Sequence, residues 1–131
     1  MMISYENGRL SIHRRISASN QQVWDILVDT AMWSVWGPSV VAVDCPQQYI
    51  MAGCRGRVKT VAGFWVPFAI ISFDEPHHWS WRIGTVRATG HSTIRLDDNS
   101  CRLSFDMPWW AIFYLPVCYV ALRRIEKLCL A

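Results

Sequence analysis

The chain has 131 residues, the length of one domain, and it is 52% hydrophobic with eight tryptophans and only 18% charged residues. Eleven Arg and two Lys outweigh ten carboxylates to give a net charge of +3, and the arginines are scattered, which speaks against the basic stripe of a nucleic-acid-binding protein. Five cysteines, an odd number without any CxxC spacing, speak against a complete disulfide framework and a zinc knuckle. A single domain spanning 1–131 with reduced, mostly buried thiols is expected. The opening MMISYENGRLSIHRR lacks a sustained apolar stretch of the signal-peptide kind, so the expected location is cytoplasmic.

Along the chain, RLSIHRRIS (9–17) alternates, with Leu10, Ile12 and Ile16 on one face, and predicts a half-buried strand. Arg14 falls on the apolar side; its long stem is expected to snorkel to water, the alternative being projection into a cavity. Ser19 followed by Gln22 has capping-box spacing, and Val23, Trp24, Leu27 and Val28 form a stripe at helical period, which predicts a helix over 20–29. A second short helix over 31–36 ends at Gly37-Pro38. Six strand-like stretches follow, at 40–44, 54–61, 64–74, 79–88, 91–96 and 101–107, with turn chemistry at Gly63, at Glu75-Pro76 and at Asp97-Asp98-Asn99. They predict an antiparallel meander.

The last segment, 109–130, reads as a helix, because Arg123, Arg124, Glu126 and Lys127 share one arc while Cys118, Ala121, Leu122, Ile125, Leu128 and Cys129 fill the other. Its first half belongs to an uncharged run of sixteen residues, MPWWAIFYLPVCYVAL, which falls short of the ~20 a bilayer span requires.

The order of strand, two short helices, antiparallel meander and long terminal helix resembles the START-like superfamily, also called SRPBCC or Bet v 1-like, and within it the polyketide cyclase/dehydrase-like and lipid-transport-like proteins. The likeness is carried by ISASNQQVWDILVDTAMWSVWGPSVVAVD (16–44), FDEPHHWSWRIG (73–84) and ATGHSTIRL (88–96). The resemblance implies an α+β helix-grip fold, in which a curved antiparallel sheet wraps the C-terminal helix and two short helices follow the first strand. It also implies an apolar cavity between sheet and helix that holds a small hydrophobic ligand.

With that arrangement, the inner arc of the terminal helix offers Tyr114, Cys118, Ala121 and Leu122 as ligand-binding residues. The strands are expected to contribute Trp65, Ile71, Trp81, Ile83, Leu103 and Phe105, chosen because their alternates are more polar, and Trp33 and Trp36 would stand near the mouth. Both faces of the early part of the helix (Ile112, Phe113, Pro116, Tyr119, Val120) and of strand 64–74 (Phe64, Val66, Phe68, Ile70) are apolar, which predicts a homodimer ahead of a peripheral membrane contact.

Catalytic signals are sparse. In DEPHH (74–78) the neighbouring side chains of a turn and strand point apart, so no metal site is expected, and neither a nucleophilic triad nor a phosphate-binding glycine loop can be read. His91 shares parity with Thr93 and Arg95 and is expected to face solvent, as is His13. No cofactor is implied. Binding of a hydrophobic ligand is the leading expectation. The alternatives are an aromatase/cyclase-like enzyme using Tyr114, Arg14 or His91 to polarise carbonyls, and a non-catalytic interaction module.

Overall fold

The computed structural model describes residues 2–130. Eight strands form one antiparallel sheet: β1 (Met2–Glu6), β2 (Arg9–Ile16), β3 (Val40–Asp44), β4 (Arg55–Thr60), β5 (Trp65–Asp74), β6 (His78–Ile83), β7 (Val86–Asp97) and β8 (Ser100–Pro108), in the spatial order β1-β2-β8-β7-β6-β5-β4-β3. Helix α1 (Asn20–Val28) follows β2, a 3-10 turn over Thr30–Met32 leads into the single turn of α2 (Trp33–Trp36), and α3 (Leu115–Leu130) closes the chain. The curved sheet and its long terminal helix are the helix-grip fold.

Local chemistry sets the boundaries. The Ser19 hydroxyl accepts from the Gln22 amide N–H at 3.2 Å and caps α1, while the Gln22 side chain, instead of closing a capping box, donates to the Cys129 carbonyl of α3. The expected helix over 109–130 is interrupted. Pro116 has no N–H and is tolerated only in a first turn, so α3 begins at Leu115 and residues Trp109–Tyr114 form a 3-10 segment with Ala111 outside helical geometry. The expected strand 79–88 is two strands, because Gly84 adopts φ +60 and turns β6 into β7; β7 then runs unbroken through residues 89–90, expected to separate two strands. Strand β1, which pairs with β2, has no counterpart in the sequence reading.

Register decides which residues face α3. Leu10, Ile12, Arg14 and Ile16 of β2 lie opposite Met107, Phe105, Leu103 and Cys101 of β8, and all except Arg14 are buried beneath the helices. Arg14 neither snorkels freely to water nor projects into a cavity: its Nε donates to Glu126 Oε2 at 3.0 Å and ties sheet to helix. On the concave side of β4, Gly56 is opposite Phe68, and an added Cβ would stand 2.6 Å from the Asp44 carbonyl and 2.9 Å from the Phe68 ring. The absent side chain is what admits Phe68 to the core.

Two ends of the sheet differ. The turns at Asn7-Gly8, at 61–64 and at Gly84-Thr85 gather at one end, where Trp109 N–H also bonds the Gly8 carbonyl. The turns carrying Asp74, Glu75, Asp97 and Asp98 lie at the other.

Candidate functional site

The space between sheet and α3 is filled largely by aromatic rings. Trp33 stacks on Trp79 with centroids 5.5 Å apart and meets Phe68 and Trp81 edge-on, and its indole N–H is fixed by the Leu27 carbonyl at 2.9 Å. Trp36 tilts against Phe105, and His91 stacks on Trp79 at 3.9 Å. Ring faces and edges at these separations are favourable contacts. The cavity expected beneath the helix is therefore reduced to a chamber of ≈40 Å³, bounded by Trp36, Ser39, Trp81, Thr89, His91, Phe105, Tyr114, Cys118 and Ala121 among others. It has room for roughly two or three waters.

A larger space adjoins it. Between the β6–β7 hairpin and the 3-10 segment lies an apolar groove of ≈340 Å³, lined by Trp81, Ile83, Val86, Arg87, Ala88, Thr89, Met107 and Pro108 of the sheet and by Trp110, Ala111, Phe113 and Tyr114 of the 3-10 segment. Trp81, Thr89 and Tyr114 border both spaces. The Tyr114 hydroxyl bonds the Ser39 hydroxyl across 2.5 Å, joining the 3-10 segment to the loop after α2.

The sequence matches the family model described as "Polyketide cyclase / dehydrase and lipid transport" over residues 8–120. The chain belongs to this family. Solved structures share its fold at low identity. The protein XoxI from Bacillus cereus superposes with a TM-score of 0.72 at 11% identity, covering 94% of this chain and 96% of that one. Protein Ms6760 from Mycobacterium smegmatis reaches 0.70 at 18% identity, covering 98% and 96%. Norcoclaurine synthase from Thalictrum flavum, solved in complex with dopamine and hydroxybenzaldehyde, reaches 0.65 at 12% identity, covering 93% and 86%. No curated protein matches by sequence.

In this member of the cyclase/dehydrase and lipid transport family, the polar groups of the site are already engaged with one another. A backbone carbonyl only accepts, so the contact of His91 Nδ1 with the Trp79 carbonyl (3.3 Å) places the proton on Nδ1. His91 Nε2 then accepts from the Thr89 hydroxyl (3.1 Å), which itself accepts from the Trp81 indole N–H (3.0 Å). Burial drives the His91 pKa down to about 3, against the opposing pull of the Trp79 carbonyl and Asp106, so the ring is neutral at physiological pH. Burial also raises the Tyr114 hydroxyl above its ordinary range, despite its bond to Ser39, and pushes the Cys118 thiol up to about 12.

The structure places the sequence-predicted residues unevenly. Trp33, Trp36, Trp81, Phe105, Tyr114, Cys118 and Ala121 surround the chamber, and Ile83 lines the groove. Leu103 and Leu122 are fully buried in the core. Trp65 and Ile71 do not join them: they are 41% and 38% exposed, because the inward parity of β5 is Val66, Phe68 and Ile70, shifted by a bulge between Ile70 and Ser72 before Phe73. Trp65 instead lies beneath the Arg57 guanidinium, 4.8 Å from the ring centroid. The same parity buries Phe68 and Ile70, so they are absent from the apolar surface expected of that strand.

His91 is the converse correction. Its strand pairs with β8 as His91 opposite Phe105 and Thr93 opposite Leu103, which turns Thr89, His91 and Thr93 inward and leaves Ile94 and Leu96 exposed. The groove residues Val86, Thr89, Trp110, Ala111 and Phe113 were not anticipated. The turn at Gly84, which brings Val86 back beside Ile83, was the available signal. Of the DEPHH residues, His78 approaches Asp106 at 3.8 Å on the convex face, and no cluster of three metal-ligating side chains forms among the described residues.

Proposed function

We propose that the protein binds a small planar apolar molecule, of about two fused rings with one polar or anionic end, in the groove between the β6–β7 hairpin and the 3-10 segment. The observation that carries this reading is the ≈340 Å³ apolar groove, which lies at the small end of the ~300–1,000 Å³ typical of ligand sites. Arg87 is the group available to an anionic end, while the Thr89 hydroxyl, whose proton goes to His91, has only an acceptor lone pair to offer a ligand hydroxyl. An entire two-chain lipid exceeds this space.

Binding without chemistry is favoured over cyclisation. Both ring nitrogens of His91 are occupied and its ring is neutral, Tyr114 and Cys118 hold their protons more tightly than usual, and the Arg14 guanidinium is held by Glu126 at the far part of α3. None is poised to exchange a proton near neutral pH.

Burying ~150–250 Å² of an aromatic probe at ~25 cal/mol per Å² gives about 4–6 kcal/mol of gross stabilisation, and hence a dissociation constant between about a millimolar and tens of micromolar. Titration with 2-naphthol and naphthalene-2-carboxylate, followed by tryptophan fluorescence, is expected to show saturable binding in this range. Ala111→Trp, which fills the groove from its wall, is expected to weaken binding at least tenfold while the circular dichroism spectrum is kept. Affinity unchanged by that substitution would place the site elsewhere, and failure of both probes to bind the unaltered chain would overturn the reading.

A further inference from the structure

At the end of the sheet where the groove opens, the surface combines exposed apolar side chains with unpartnered cations. The 3-10 segment presents Trp109, Trp110, Ile112 and Phe113, of which Trp110 is 52% and Phe113 77% exposed. Val61 and Phe64 at the β4–β5 turn and Val86 after the β6–β7 turn are exposed at the same end. Isolated apolar residues on a surface need no explanation, but a group gathered at one end marks a contact face.

The charges at this end are mostly positive. Lys59 lies directly opposite Trp65 near the β4–β5 turn, and Arg82 and Arg87 lie opposite each other at the β6–β7 turn. None of the three forms an ion pair among the described residues. Like charges in directly opposed strand positions repel, so the Arg82 and Arg87 pair is a cost that an anionic partner would relieve. The nearby carboxylate of Asp106 is engaged by Arg9 at 2.6 Å, which leaves Glu6 on the edge strand β1 as the local counter-charge. The turn carboxylates Asp74, Glu75, Asp97 and Asp98 lie at the opposite end.

We propose that this end of the protein docks on an anionic lipid bilayer, with Trp109, Trp110, Ile112 and Phe113 entering the interfacial layer and Lys59, Arg82 and Arg87 facing the lipid phosphates. Trp and Phe supply the apolar half of interfacial binding and the cations the electrostatic half, and stable peripheral attachment uses both. No helix among the described residues is long and apolar enough to cross a membrane, so the contact is peripheral for the helices. A second copy is the poorer occupant, because a two-fold interface sets this face against itself and opposes the same cations. The inference goes beyond ligand binding and holds whether or not the groove is filled.

Co-sedimentation with vesicles of phosphatidylcholine alone and of equimolar phosphatidylcholine and phosphatidylglycerol tests it. The unaltered chain is expected to partition at least tenfold better onto the anionic vesicles and to be released by high salt. The combined Lys59→Gln, Arg82→Gln, Arg87→Gln variant is expected to bind on the order of a hundredfold more weakly, from ~1 kcal/mol for each cation near the surface. Trp110→Ser with Phe113→Ser is expected to abolish binding to both vesicle types. Equal partition onto the two vesicle types, or none onto either, overturns the proposal. So does a dimer in sedimentation equilibrium that dissociates in the Trp110→Ser, Phe113→Ser variant without any vesicle binding. The salt series on the unaltered chain stands even if a variant fails to fold, and naphthol binding reports separately on the groove.

Discussion

Trp33→Ala is expected to destabilise the protein by about 3–5 kcal/mol, the range for emptying a buried tryptophan site. Trp33 is buried at the centre of the aromatic cluster, in contact with Phe68, Trp79 and Trp81 at centroid distances of 5.2 to 5.5 Å, and its N–H satisfies the Leu27 carbonyl at the end of α1. Removal forfeits the ring contacts and leaves that carbonyl without this donor. It also converts the small chamber into a cavity of indole size. Added indole is therefore expected to restore part of the lost thermal stability, by mass action on the native state. A loss below ~1 kcal/mol in urea denaturation, or no response to indole, would mean that the cluster collapses readily and is not a rigid packing unit.

Acid is expected to weaken the fold through His91. Its pKa in the folded state, about 3, lies below the ordinary value of 6.5. The unfolded chain therefore takes up the proton first as pH falls. Stability from this group is complete above pH ~6.5 and is lost progressively toward pH ~3, at ~1.4 kcal/mol for each pH unit. Between pH ~6.5 and ~4 the loss is about 3 kcal/mol. His13, also lowered, chiefly by burial, adds a smaller slope of the same sign, and the lowered carboxylates Asp97 and Asp106 contribute only at more acid pH. Urea midpoints measured across this window for the unaltered chain and for His91→Gln should diverge, with the variant keeping only the smaller slope that His13 supplies. Parallel curves would show that His91 is charged, or accessible to solvent, in the native protein.

Legibility in the sequence followed how strongly local pattern and tertiary pairing agree. The Ser19 cap, the helical stripe of Val23, Trp24, Leu27 and Val28, and the amphipathic 118–129 region are local signals, and the helices formed where they predict. The helix-grip arrangement follows from their order. Strand parity failed where side-chain polarity and pairing disagree. On β7 the more apolar alternates, Ile94 and Leu96, face solvent, because the partner strand β8 offers its apolar face to Thr93 and His91. On β5 a bulge changes parity partway along the strand, and the exposed side of Trp65 is covered by a cation rather than by core. Neither a bulge nor a neighbour's register is written in one strand's alternation. The size of the cavity was likewise hidden, since it depends on how far Trp33, Trp79 and Trp81 fill the concavity toward one another.

The central claim is that the groove beside the β6–β7 hairpin, and not the packed interior, is the ligand site. Amide NMR spectra recorded while 2-naphthol is added test it most directly. Shifts confined to residues 81–89 and 107–114, saturating together, are the predicted result; shifts centred on the convex face or on the 30–48 region, or no shifts at all, would contradict it.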